Sequence, residues 1–180
     1  MASVFQFDYT NKHGVAESTL MLSSFSGGHF YNVVNSTADM DNGSVTAIDI
    51  TKWKEGDVFE VKAPATTDKV AILINPPKIY EEYATQMQEE HYYFLGQNEI
   101  GRAYEVYETD RFTLSLEAFK DSPTVEPAVG KYVVVDGTGY KLDVVDSAPT
   151  TTYGFVGYIY ALANKPDYYR IFVIQNKTIA

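Results

Sequence analysis

The stretch from Ile100 to Phe119, IGRAYEVYETDRFTLSLEAF, changes character at every second residue, and few folds accept that pattern. Arg102, Tyr104 and Val106 fall on one side of the first run, with Ala103, Glu105 and Tyr107 on the other. In the second run Phe112, Leu114 and Leu116 share a side opposite Arg111, Thr113, Ser115 and Glu117. Successive side chains of a strand point to opposite faces, so a period of two marks half-buried β-structure. Glu108-Thr109-Asp110 between the runs has the composition of a turn. The pattern predicts a β-hairpin in an antiparallel sheet, and nothing in it resembles a chemical centre.

The rest of the chain continues in the same style. Strand-sized runs occur at Val45–Ile50, Val58–Lys62 and Val70–Ile74, and Pro76-Pro77 closes the group because proline cannot donate to a ladder. Lys131–Val135 and Tyr140–Val145 flank the turn Asp136-Gly137-Thr138-Gly139, a local hairpin signal. Thr152–Leu162 and Tyr168–Gln175 predict a last hairpin, in which the apolar run Ile171-Phe172-Val173-Ile174 reads as a central strand covered on both faces. Together these runs predict an all-β, antiparallel barrel or sandwich built of hairpins. Lys78–Glu90 is the single helical candidate, with Tyr80, Tyr83 and Met87 at helical spacing. Residues 1–41, rich in Ser, Thr, Asn and Gly, read as an extended N-terminal arm. In it Phe5, Phe7 and Tyr9 alternate, and Leu20-Met21-Leu22 is a candidate small strand. Residues 42–180 then form the β-rich domain, with a possible sub-boundary near 76–98.

Charge narrows the partners. A net charge of −10 over 180 residues argues against nucleic acid, which needs clustered cations, and against an anionic membrane surface. The absence of cysteine excludes a disulfide scaffold, thiol chemistry and thiolate zinc sites. The longest apolar runs are strand-sized, so no membrane-spanning helix is expected. MASVFQFDYT has neither the basic start nor the apolar core of a secretory signal. The N-x-S/T triplets at Asn35, Asn42 and Asn176 are therefore read as chance.

Catalytic and metal-binding patterns are sparse. His13, His29 and His91 are far apart, and none has a second ligand at helical spacing. Asp39-Met40-Asp41-Asn42-Gly43 approaches a calcium loop, but its glycine comes one place early and Ile50 stands where a bidentate Glu is required. Glu81-Glu82 and Glu89-Glu90 read as solvated carboxylates rather than an acid/base pair. Asp136–Gly139 lacks the following helix of a dinucleotide site. These readings point to no enzyme, no metal and no cofactor. Tyr153, Tyr158, Tyr160, Tyr168 and Tyr169 crowd the last hairpin. Cross-strand packing and interface filling is the favoured reading for them, with stacking on sugar rings the alternative.

Several local features in order resemble a known group: D-N-G at Asp41–Gly43, K-A-P at Lys62–Pro64, I-Y-E-E-Y at Ile79–Tyr83, G-R-A-Y at Gly101–Tyr104, D-R-F-T at Asp110–Thr113 and V-G-K-Y-V at Val129–Val133. From about residue 41 to the C-terminus the chain resembles the auxiliary, decoration or cement proteins of tailed-phage heads. The resemblance implies a virion structural protein, made in the bacterial cytoplasm and placed on the capsid surface. Its partner there would be the major capsid protein, and a homo-oligomer, with a trimer favoured, is expected. Phe5, Phe7, Tyr9, Tyr158 and Tyr169 are the expected partner-binding residues. A glycan-binding β-module or a tail or fibre component for host attachment is the competing expectation.

Overall fold

In the computed structural model, which describes residues 10–25, 29–54, 56–76, 89–149, 153–165 and 167–179, eleven strands carry nearly all the regular structure. β2 (Phe30–Val34), β4 (Val58–Lys62), β3 (Val45–Trp53), β5 (Ala71–Leu73) and β6 (Ile100–Glu105) close into a barrel in that order. β1 (Ala16–Leu20), β7 (Arg111–Ser115), β11 (Tyr168–Asn176), β10 (Phe155–Leu162), β8 (Tyr132–Val135) and β9 (Leu142–Val145) form an open sheet, again in spatial order. The protein is thus all-β as expected, a barrel with a sheet packed on it. Every ladder between these strands is antiparallel except β2 with β4.

Hairpins read from local sequence form where the turn residues fit. Gly137 takes φ 79° in the connection from β8 to β9, a conformation that costs glycine nothing. β10 returns as β11 through residues 163–167, and the two strands pair along most of their length.

The stretch Ile100–Phe119 behaves differently from the hairpin expected of it. β6 pairs with β2 and β5 inside the barrel, whereas β7 pairs with β1 and β11 in the open sheet. The polar residues between them form a corner that passes the chain from one sheet to the other. Thr109 sits at φ 77°, and the Asp110 carboxylate accepts the Tyr107 N–H at 2.9 Å and the Leu22 N–H at 3.0 Å. Thr109 N–H donates to the Val173 carbonyl and Val173 N–H to the Asp110 carbonyl, both at 2.9 Å. The corner is therefore stitched to β11 and to the short helix α1 (Leu22–Phe25). A hairpin turn and a corner share the same local chemistry, and only long-range partners distinguish them.

The segment assigned to an N-terminal arm is built into both layers from Ala16 onward. β1 forms the edge of the open sheet beside β7, and β2 closes the barrel between β4 and β6. Met21 is fully buried, so the Leu20-Met21-Leu22 patch ends a strand and starts α1 with its central side chain in the core. Phe5, Phe7 and Tyr9 lie outside the described residues, as does the helical candidate up to Gln88; Glu90–Tyr92 forms a 3₁₀ turn. The chain on both sides of the 76–98 stretch belongs to one barrel, since β5 and β6 pair directly.

Two apolar clusters hold the layers. Val33, Met40, Val61, Leu73, Leu95 and Ala103 fill the barrel. The larger cluster joins Val45, Ile72 and Val106 from the barrel to Leu114, Ile159 and Ile171 from one face of the open sheet. Full burial of such a side chain stabilises by about 1.5–3 kcal/mol, so this shared core commits the sheet to one orientation on the barrel. β11 is accordingly covered on one face only. Ile171 and Val173 are buried, but Phe172 is half-buried and Ile174 is 45% exposed, which corrects the expectation of a strand covered on both faces.

A polar latch sits at the same junction. The Asn176 side chain accepts the Val70 N–H at 2.9 Å and donates to the carbonyls of Val70 and Val106, both at 2.8 Å. It joins the end of β11 to the segments flanking β5 and β6. Asn176→Ala leaves three buried backbone groups without partners, and a loss of about 3 kcal/mol is expected in urea unfolding at neutral pH. A loss below about 0.5 kcal/mol, the scale of an ordinary surface change, would remove the latch from the account.

Candidate functional site

The face of the open sheet turned away from the barrel is the best-defined candidate, and its composition follows from strand alternation. Val133, Val144, Phe112, Ile171 and Ile159 point into the core. Their neighbours in sequence therefore point outward. Strand register aligns these neighbours into one row across all six strands: Val145, Tyr132, Tyr158, Phe172, Arg111 and Leu20. Tyr132 and Tyr158 rings are 5.2 Å apart and tilted by 57°. Tyr132, Tyr158, Phe172 and Val145 are half-buried, Arg111 is exposed and Leu20 is 47% exposed. Ile174 extends the apolar surface on β11, two residues beyond Phe172.

Part of this face is covered by the chain itself. Thr124 donates from its N–H and its hydroxyl to the two oxygens of Asp143, each at 2.7 Å, and Val125 N–H reaches the Val144 carbonyl at 3.1 Å. Asp143 and its cross-strand neighbour Val134 are buried although both belong to the outward set. The segment shields the edge strand β9, and the aromatic row beside it stays open.

Arginine placement sets the electrostatics. Arg102 lies over the Phe30 ring at 4.6 Å. Arg111 and Arg170 are exposed on the outward face and have no ion-pair partner among the described residues. Lys52, Lys62, Lys69, Lys120, Lys131, Lys141 and Lys165, by contrast, each have a carboxylate within 4.0 Å. Among the described residues Lys12, Lys54 and Lys177 share with these two arginines the lack of an ion-pair partner, but only the arginines stand on the outward face of the sheet beside the aromatic row.

Of the residues expected to bind a partner, Tyr158 lies in this row. Tyr169 does not: it is only 9% exposed and packs edge-on against Phe119 in the core, with ring centroids 5.6 Å apart. Tyr168 is also buried, its hydroxyl 3.0 Å from His91 Nε2. Burial comes first in pushing the Tyr168 phenol up to about 12, followed by Glu90, Glu17 and Glu117. Tyr153 and Tyr160 are half-buried. Sequence reading missed Phe172, Arg111, Arg170 and Leu20. The usable signal was the strict alternation in Arg111–Ser115, which sets Arg111 and Thr113 opposite the core residues. A second exposed feature, the β3–β4 hairpin, carries Ile50 at 67% and Trp53 at 58% exposure, with the Trp53 ring 4.1 Å from Phe59.

The residues weighed for chemistry serve as ties between segments. His13 Nδ1 is 2.7 Å from Asp41, and its ring stacks on Phe94 at 5.0 Å. His29 Nδ1 is 2.6 Å from the Tyr107 hydroxyl. Gly43 adopts φ 88° in the turn that the calcium-like pattern occupies. Glu89 and Glu90 are exposed, while Glu81 and Glu82 lie outside the described residues. Among the described residues no group of three or more potential ligands is placed to hold a metal. No described helix is long and apolar enough to cross a membrane. No family model and no curated protein matches the chain.

Three carboxylates are tuned downward, the first being Asp49, held low chiefly by hydrogen bonds from the Thr51 hydroxyl and N–H. At Glu105 burial acts to raise the pKa, but hydrogen bonds from Lys69 and Tyr107 outweigh it and hold the carboxyl below its usual range. At Asp136 burial is likewise outweighed, by Thr138 and Lys120. A folded-state pKa below the unfolded one adds stability above the unfolded value, and that stability is lost as pH falls through the folded value. Below about pH 4.5, the ordinary value for Glu105, the urea midpoint should fall more steeply in the wild type than in Glu105→Gln. Parallel curves between about pH 5 and 3 would refute this. The two tyrosines should also separate. Tyr169→Ala is expected to cost about 3 kcal/mol in denaturant unfolding and Tyr158→Ala less than half of that. Equal losses would contradict their placement.

Proposed function

We propose that the protein is a virion structural protein, an auxiliary or decoration protein that binds the assembled capsid of a tailed phage and clamps neighbouring major capsid subunits. The observation that carries this reading is the outward face of the open sheet. It presents an aromatic row, flanked by arginines, on a rigid scaffold whose other face is fixed to the barrel. Aromatic residues and arginine are the types enriched where proteins meet, and large apolar side chains left half-open mark surfaces that a partner covers. The sequence resemblance supplies the class of partner. In this reading no bond is made or broken on the protein. A surface formed only in the assembled lattice is held together by whatever binds it, which stabilises the capsid by mass action. Placement at a symmetry axis favours a trimer, and the protein reaches the capsid surface after synthesis in the bacterial cytoplasm.

The half-exposed pair Tyr132 and Tyr158 supports a second reading, a glycan-binding module of a tail or fibre, because paired ring faces can stack on sugars. Sedimentation separates the two. Purified protein mixed with expanded capsids lacking it is expected to pellet with them at saturating, stoichiometric occupancy. Protein left wholly in the supernatant would reject the capsid reading, and saccharide binding lost in Tyr158→Ala with the fold intact would establish the glycan one.

A further inference from the structure

Arg111 and Arg170 occupy diagonal positions on neighbouring strands, since Arg111 lies opposite Phe172 and Arg170 opposite Thr113. Diagonal neighbours in an antiparallel pair are about 7–8 Å apart, so two like charges share one small patch. The carboxylate nearest by register is Glu17, opposite Thr113 on β1, and it lies 4.0 Å from Lys165. Among the described residues no carboxylate lies within ion-pair distance of either arginine, whereas seven lysines each have one. Beside them stand Phe172 and Tyr158, half-buried in the row.

We infer that this patch is the anchor of the interface, and that it receives a protein surface presenting carboxylates next to apolar side chains. The inference rests on the reading of the outward face as capsid-binding and names the chemistry of the partner. The argument is charge complementarity. Arginine presents a planar fork of donors that matches a carboxylate in a two-point contact, and its weak hydration makes it cheaper to desolvate than lysine. Among the described residues neither side chain has an ion-pair partner to give up when the contact forms. A carboxylate placed between the two guanidinium groups also relieves their mutual repulsion. Phe172 and Tyr158 supply the water-excluding apolar contact that strengthens a charged pair beside it. A second copy meets this chemistry poorly. The face carries two arginines and, in Glu17, a carboxylate already engaged, so two such faces in contact would gather four guanidinium groups. Nucleic acid is also a poor occupant, because two cations on a chain of net charge −10 neutralise too few phosphates.

The test uses the full-length protein and expanded capsids lacking it, with binding isotherms measured by sedimentation at low and high salt. Arg111→Glu and Arg170→Glu should each weaken binding about 10-fold and the double variant about 100-fold. Arg111→Lys with Arg170→Lys should retain an intermediate affinity. Wild-type binding should weaken as salt rises, and the double reversal should lose that dependence. Circular dichroism and the urea midpoint of the double reversal should match the wild type, because both side chains are exposed. If the wild type fails to pellet, the capsid reading itself fails. If the wild type pellets and the double reversal pellets equally well, the arginine anchor fails while the capsid reading stands. Sedimentation velocity without capsids and binding to a single-stranded DNA oligonucleotide complete the test. A wild-type oligomer that the double reversal converts to monomer would assign the patch to a second copy. Oligonucleotide binding lost in the same variant would assign it to nucleic acid. Either result overturns the inference.

Discussion

The junction between barrel and open sheet is the constraint from which the other features follow. It combines an apolar cluster drawn from both layers with the Asn176 amide, which satisfies buried backbone groups of Val70 and Val106. The apolar cluster supplies most of the stabilisation but is indifferent to small rotations. The amide, whose donors and acceptor are fixed in a plane, is not. Burying it without partners would cost more than the bonds contribute, so a sheet docked in a different register is penalised. The corner at Asp110 adds a second fixed point, tying β11 and α1 to the chain that crosses between the layers. The fixed orientation of the layers is what leaves the opposite face of the sheet free.

That free face owes its character to a single-sided packing problem. A β-sheet has two surfaces, and this chain has enough apolar residues to cover one with the barrel and a corner of the other with the Thr124 segment. What stays open is half-buried rather than wet, because Tyr132, Tyr158 and Phe172 shield one another across strands. Such a surface gives up little entropy when covered, since its rings are already held by their neighbours.

How much was legible in the sequence depended on whether the deciding contact was local. Asp136–Gly139 announced the β8–β9 hairpin because the turn and both strands lie within fifteen residues or so of each other. Alternation likewise located β4, β6 and β7. It could not say that β6 and β7 part company, because the groups that decide it are Val173, Leu22 and the barrel strands, all distant in sequence. The polar composition of residues 10–41 concealed two strands for the same reason. β1 and β2 are an edge and a seam that draw their stability from partners distant in sequence, such as Leu114 opposite Ala16 and Tyr104 opposite Phe30. Tyr168 and Tyr169 looked alike as neighbours in an aromatic hairpin, yet one is tied to His91 and the other packs on Phe119. The arginines escaped notice because being unpaired is a property of the whole fold, not of any stretch of it.

Three N-x-S/T asparagines acquire a meaning from their surroundings. Asn35 accepts the Thr37 N–H and hydroxyl, Asn42 exchanges hydrogen bonds with Asn75, and Asn176 forms the latch; all three are buried. Oligosaccharide transfer in a eukaryotic secretory pathway takes place on the nascent chain, before any of these amides can be enclosed. A bulky sugar on any of these amide nitrogens would have no room in the folded protein, so glycosylation at the three triplets and this architecture exclude each other.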